Sequence, residues 1–179
     1  KERWVRTSKL LVAGHSEGST IASKMASINK KVTHLIYSGG NPYGRIMNIL
    51  SQSRSFDNDT LNEGNNTIEY WKKVVENPNE INTSNGDSNK TTYSFSLPQK
   101  DNLMALKIPV LITYGTKDWS ASFNDLFQIE AIRERKQHLS FKSYLNLEHN
   151  YFPINKNGTV NEEIYNWDKI ASDWLDWLE

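Results

Sequence analysis

The chain has 179 residues, a length that points to one domain, and 37% of them are hydrophobic, enough for a packed core. Lys plus Arg number 21 and Asp plus Glu number 21, so the formal net charge is zero, which speaks against a nucleic-acid binder or a polybasic membrane surface. Cysteine is absent, which excludes disulfides, thiolate metal centres and a cysteine nucleophile, and no apolar run reaches the roughly 18 residues of a membrane span.

In chain order, Lys9–Ala13 is a short apolar run closed by Gly14, the pattern of a buried strand. Glu17–Ile28 follows with Ile21, Ala22, Met25 and Ala26 at helical spacing. Val32–Tyr37 reads as a second strand, closed by Gly39-Gly40-Asn41-Pro42. The stretch from Tyr43 to Asp101 then interrupts the alternation. It holds candidate helices at Tyr43–Ser53 and Thr67–Asn77 and a polar run over Asn79–Asn89. Val110–Tyr114 is a third strand, Asn124–Arg135 a helix and Leu139–Leu145 a fourth strand. Glu163–Leu178 closes the chain as a helix with Ile164, Trp167, Ile170, Ala171, Trp174, Leu175 and Leu178 on one face. Strands alternating with helices predict an α/β fold with a parallel sheet. The expected division is a core over 1–42, a cap or lid insertion over 43–101, and core again over 102–179. An insertion of that length between two strands is usually functional or mobile.

Gly14-His15-Ser16-Glu17-Gly18 matches the pattern G-x-S-x-G. A strand ends just before it and a helical pattern begins just after. That is the setting of a nucleophile elbow, in which a strained turn lifts the serine hydroxyl clear of the backbone. Gly14 and Gly18 are the elbow glycines, whose missing Cβ atoms let strand and helix approach. Such a serine needs a base, and the base an orienting acid, in the chain order Ser, Asp or Glu, His. Asp118 lies four residues beyond the third strand, and His149 lies in the loop after the fourth. His34 and His138 fall within or at the start of strands and read as structural. His15 reads as packing beneath the turn, away from the hydroxyl. Glu148 and Asp125 are the rival acids, one adjacent to His149 and the other inside a helix.

These residues resemble the α/β-hydrolase superfamily, in particular its serine esterase, acyl-thioesterase and S33- or S9-like peptidase branches. The resemblance implies a doubly wound, mostly parallel sheet, of which the chain is the C-terminal half. Lys9–Ala13, Val32–Tyr37, Val110–Tyr114 and Leu139–Leu145 would be the fifth to eighth strands, with a helical cap inserted after the sixth. The match extends to Gly115 with Asp118 and to His149-Asn150; Glu148 and Ser19 stand where the family commonly has glycine. The implied activity is that of a serine hydrolase cleaving a carboxylic ester, thioester or amide through an acyl-serine. Ser16, Asp118 and His149 would be the catalytic triad and the Glu17 backbone N–H an oxyanion donor. The alternatives are a non-catalytic ligand-binding protein that keeps the fold, or an acyltransferase.

Tyr43, Tyr70 and Trp71 are candidates to line a substrate pocket, or equally to form the cap's own small core. The expected partner is a small-molecule acyl substrate, with no metal, no cofactor, no nucleic acid and no membrane span. No location is assigned. Only about ten residues precede the first strand, whereas the family places four strands and the second oxyanion donor upstream. The chain is therefore expected to be a fragment. Its first strand would be a free sheet edge that self-associates or pairs with the missing N-terminal half.

Overall fold

A computed structural model describes residues 8–56, 62–81 and 86–179. Among the described residues four strands form one sheet in the order β1 (Leu11–His15), β2 (His34–Ser38), β3 (Val110–Gly115), β4 (Leu139–Tyr144), every neighbouring pair parallel. Residues 82–85 of the polar run lie outside the described residues.

β3 is buried at every position, as a strand covered on both faces must be, and its Val-Leu-Ile-Thr-Tyr sequence supplies the β-branched and aromatic side chains that fit there. β1 and β4 are the outer strands and are only partly covered. The main core joins Leu35 and Tyr37 of β2, Val110 and Ile112 of β3, and Leu103 and Phe127 from the helices. Burying each Leu, Ile or Phe of this set contributes about 1.5–3 kcal/mol.

Helix α1 (Glu17–Ile28) has the predicted span, and of the four residues at helical spacing Ala22 and Ala26 face the core while Ile21 and Met25 do not. It buries Ser19, Ala22, Ser23 and Ala26, while Ile21 and Met25 are exposed. The reason is distance: α1 leaves the end of β1 through a one-residue turn and lies close on β1 and β2. Small residues at i, i+3, i+4 and i+7 permit that approach and larger ones do not.

Between β2 and β3 run α2 (Arg45–Phe56), α3 (Glu63–Glu76), α4 (Asn89–Phe95) and α5 (Lys100–Ala105). The first two correspond to predicted helices. The last two do not, because six or seven residues carry too few turns for a periodic signal. α4 is instead marked by its cap, Ser88 Oγ accepting from the Thr91 N–H at 3.2 Å. α5 delivers Leu103 and Met104 to the main core.

After β3 comes α6 (Ala121–Arg133), and the chain ends in α7 (Trp167–Trp177), which begins later than the predicted Glu163. Ile164 precedes it and is exposed, and Leu175 faces solvent, so the buried stripe reduces to Ile170 flanked by half-buried Trp167 and Trp174. Those side chains pack on Tyr144 and Tyr151 in a second, smaller cluster. Among the described residues no helix is long and apolar enough to cross a membrane.

Candidate active site

All four strands point their C-terminal ends the same way, and the chemistry-bearing residues follow those ends. Ser16 directly follows β1, Gly39 follows β2, Asp118 lies three residues past β3, and His149 five past β4.

The turn at Ser16 is strained, with φ 57° and ψ −125° at a residue that has a Cβ. Conformations of this kind cost about 1–3 kcal/mol and persist where the surroundings over-determine them. Here the Ser16 N–H donates to the Ser38 carbonyl at 2.8 Å, and the Ser16 carbonyl accepts from the Ser19 N–H at 3.0 Å and the Ser19 hydroxyl at 2.5 Å. The Ser19 side chain thus anchors the elbow from inside the first turn of α1.

The two elbow glycines are not equivalent. A Cβ on Gly14 would lie 2.0 Å from the Gly18 carbonyl oxygen, whereas one on Gly18 would meet nothing within 4 Å. Gly14→Ala is therefore expected to prevent the elbow from closing and to leave little folded protein. Gly18→Ala should keep the fold and change stability by about 1 kcal/mol or less, in the stabilising direction, because alanine is the better helix former. Urea unfolding of the two variants checks both outcomes.

The fold brings Ser16, Asp118 and His149 together. His149 Nε2 lies 2.9 Å from Ser16 Oγ, and His149 Nδ1 lies 2.8 Å from Asp118 Oδ2. The Asp118 carboxylate is buried and its other oxygen accepts from the Ser120 N–H at 2.9 Å. Asp125 accepts from the Tyr114 hydroxyl at 2.5 Å and is occupied there. Glu148 does not face the imidazole. Its carboxylate accepts from the N–H groups of Asn150 at 2.7 Å and Phe152 at 3.0 Å, closing the loop that carries His149. The Glu148 side chain thereby shapes this loop. His34 and His138 are tied to the Thr33 hydroxyl and the Leu103 carbonyl, away from this site.

The two histidines of the site are tuned in opposite directions. His15 is lowered to about 4, first by burial and then by the charge of His149. For His149 burial acts downward, but the hydrogen bond and charge of Asp118, with the charge of Glu148, outweigh it and hold the group above the ordinary histidine value. Because the folded value of His15 lies below 6.5, its contribution to stability is full above pH 6.5 and is lost as pH falls towards about 4. Because that of His149 is raised, its contribution is full below pH 6.5 and is lost as pH rises through the folded value. Urea midpoints are therefore expected to drop between pH 6.5 and 4, and His15→Gln to flatten that drop.

A cleft of about 210 Å³ opens onto Ser16 and His149. Its apolar lining is Ile49, Phe95 and Trp119, and its polar lining includes Glu17, Arg45 and Gln52. Tyr43, Tyr70 and Trp71 do not line it. Tyr43 packs on the main core beside Phe123, with Lys100 over its ring. The Tyr70 hydroxyl meets Thr92 at 3.0 Å, and Trp71 stacks on Tyr93 at 5.9 Å, so these two tie α3 to α4. Arg45, which sequence reasoning did not single out, pairs with Glu17 at 2.7 Å and Asp87 at 2.6 Å and thereby joins α2 to the elbow helix. Arg45, Ile49 and Gln52 recur at i, i+4 and i+7, a helical face that only the position of α2 above the elbow identifies as cleft lining. Among the described residues no group of three or more His, Asp or Glu could hold a metal ion.

No family model matches the chain, and no curated protein matches it. Among solved structures, VinJ superposes with a TM-score of 0.57 at 12% identity, over 97% of this chain and 67% of that one. The 2,6-dihydroxy-pseudo-oxynicotine hydrolase gives 0.48 at 21% identity, over 83% and 36%. A Pyrococcus furiosus esterase gives 0.47 at 13% identity, over 79% and 46%. The chain thus spans between about a third and two thirds of the length of these structures. With four parallel strands, helices interposed between β2 and β3 and a strained serine turn after β1, the chain has the α/β-hydrolase fold. At such identities the likeness speaks to fold alone.

Proposed function

We propose that the protein is a serine hydrolase that cleaves a small carboxylic ester, thioester or amide through an acyl-serine, with Ser16, His149 and Asp118 as its triad. The observation that carries this reading is the His149 imidazole, whose two nitrogens lie within hydrogen-bond reach of a hydroxyl on one side and a buried carboxylate on the other.

In this mechanism Ser16 Oγ attacks the substrate carbonyl as His149 Nε2 takes its proton, and a tetrahedral oxyanion forms. Collapse breaks the bond to the leaving group, which receives that proton, and the acyl group stays on Ser16. A water then attacks the acyl-serine and gives its proton to His149. The second collapse releases the acid and returns the proton to Ser16 Oγ. Asp118 holds Nδ1 protonated throughout and stabilises the imidazolium. The Glu17 N–H at the start of α1 finds no backbone acceptor among the described residues and is free to donate to the oxyanion. One such donor is worth about 10²–10³ in rate.

Residues 43–101 act in this reading as the cap, with α2 and α4 contributing Ile49 and Phe95 to the cleft wall. The outer edge of β1 has no strand partner among the described residues. In this reading that edge is open to pairing with a further strand, such as that of a second copy. Size-exclusion chromatography of the 179-residue chain separates a self-associating edge from a monomer.

The decisive experiment is labelling with a fluorophosphonate followed by peptide mapping, combined with a screen of acyl esters, acyl thioesters and aminoacyl amides. An adduct on Ser16 with turnover in one substrate class is the expected result. An adduct on another serine overturns the assignment. Labelling with transfer only to a non-water acceptor identifies an acyltransferase, and ligand binding without labelling identifies a binding protein.

A further inference from the structure

Beneath His149 lies a group of side chains that the mechanism above does not use. Tyr151 is completely buried, two residues after His149, with φ 64°. A left-handed conformation is unfavourable for an aromatic residue and marks a position that its surroundings hold in place. Its hydroxyl lies 2.6 Å from Ser38 Oγ and 2.9 Å from Thr113 Oγ1. Ser38 and Thr113 are register partners on β2 and β3, so one phenol spans two neighbouring strands at the end of the sheet. The Tyr151 carbonyl accepts from the Asn166 amide at 2.9 Å, which ties the same loop to the start of α7.

Ser38 Oγ also lies 3.0 Å from His15 Nδ1. The His15 ring is 5.0 Å from the His149 ring at 37°, 5.5 Å from the Tyr151 ring, and 4.9 Å from Trp167 edge-on. His149 is thus held at its two nitrogens by Ser16 and Asp118 and on its face by His15. Space on that face is scarce. A Cβ on Gly39, whose φ is +56°, would lie 2.7 Å from His15 Cε1 and 3.5 Å from His149 Cε1.

We propose that Tyr151 and His15 are positioning residues for His149, joined through the Ser38 hydroxyl into a floor that fixes the tilt of its imidazole. The proposal rests on the reading of His149 as the base. Tyr151 secures the loop to the sheet within two residues of the imidazole, and His15 transmits the same anchor to the ring face. A neutral His15 suits the role, because a second charge against the ring would oppose formation of the His149 imidazolium. Displacements of about 1 Å at a base can cost about 10²-fold in rate. A hydroxyl-anchored floor of this kind therefore acts on the chemical step and leaves substrate binding in the cleft alone.

The test is kcat and KM for Tyr151→Phe and Ser38→Ala with p-nitrophenyl butyrate, expressed per site titrated with fluorophosphonate. Tyr151→Phe keeps every ring contact and removes only the hydroxyl. Ser38→Ala removes the shared link and is the second reading should Tyr151→Phe not fold. Expected is a fall in kcat per titrated site of about tenfold or more, with KM within about twofold, the signature of a lost transition-state contribution. Fewer titratable sites at wild-type kcat per site describes a purely structural anchor and overturns the proposal. Mapping the adduct in the wild type separates the two levels. An adduct away from Ser16 overturns the triad reading itself, whereas an adduct on Ser16 with wild-type kcat in both variants overturns only the role of the floor.

Discussion

Ser16→Ala is expected to lower kcat for ester hydrolysis about 10⁶-fold, to the residual rate that binding and oxyanion donors supply without a nucleophile. The fold should be unaffected. Alanine at φ 57° is no more strained than serine, and the bonds that hold the turn come from the Ser16 backbone, not from its hydroxyl. Among the described residues the one hydrogen bond given up is that to His149 Nε2. Because the members of a catalytic triad act as a unit, the proposed function predicts that Ser16→Ala combined with His149→Ala costs little more than Ser16→Ala alone. Stopped assays on the single and the double variant, with circular dichroism as the control for folding, check both statements. A single variant that retains a tenth of the wild-type kcat would place the nucleophile elsewhere.

Asp118→Asn should cost about 10⁴-fold in kcat with little change in KM. The geometry explains why so isosteric a change is so damaging. Asp118 Oδ1 accepts from the Ser120 N–H, and an asparagine keeps that bond by placing its carbonyl oxygen there. Its amide group then faces His149 Nδ1 and donates to it. Nδ1 must become an acceptor, the proton moves to Nε2, and Nε2 can no longer take the Ser16 proton. The same variant loses the carboxylate that raises His149, so the acid limb of the pH–rate profile should move to lower pH. A pH–rate profile of Asp118→Asn with an unshifted acid limb would show that another carboxylate tunes the base.

Much of this site could be read from local patterns. G-x-S-x-G between an apolar strand and a helix is a signal confined to about ten residues, and Ser16 stands out because strand, turn and helix are all local. Asp118 and His149 could be named as candidates because parallel strands deliver their following loops to one end of a sheet, so that chain order alone narrows the choice. The four strands are readable for a similar reason: three are short apolar runs closed by glycine, and the fourth, Leu139–Leu145, is a less apolar one.

Other features had no such signature. Tyr43, Tyr70 and Trp71 are aromatic residues in the insertion, and nothing in their spacing tells a pocket wall from packing on α4 or on the main core. Phe95 and Trp119 flank the cleft from segments 24 residues apart in sequence, and only the tertiary fold brings the end of α4 and the loop after β3 to one cleft. Arg45 was invisible because its partners, Glu17 and Asp87, are distant in sequence. The face of α1 is only half legible, because hydrophobicity favours Ile21 and Met25 beside Ala22 and Ala26, while close approach to the sheet selects Ser19, Ala22, Ser23 and Ala26.

The sequence by itself therefore determined the α/β alternation, the position of the serine turn and a short list of candidate acids and bases, all set by local periodicity and turn chemistry. The tertiary structure alone decided which side chains meet: which face of α1 lies on the sheet, what lines the cleft, and that Tyr151, Ser38 and His15 converge under His149. Those contacts join residues distant in sequence, 113 positions apart for Ser38 and Tyr151. They depend on strand register and close packing, which no window along the chain contains.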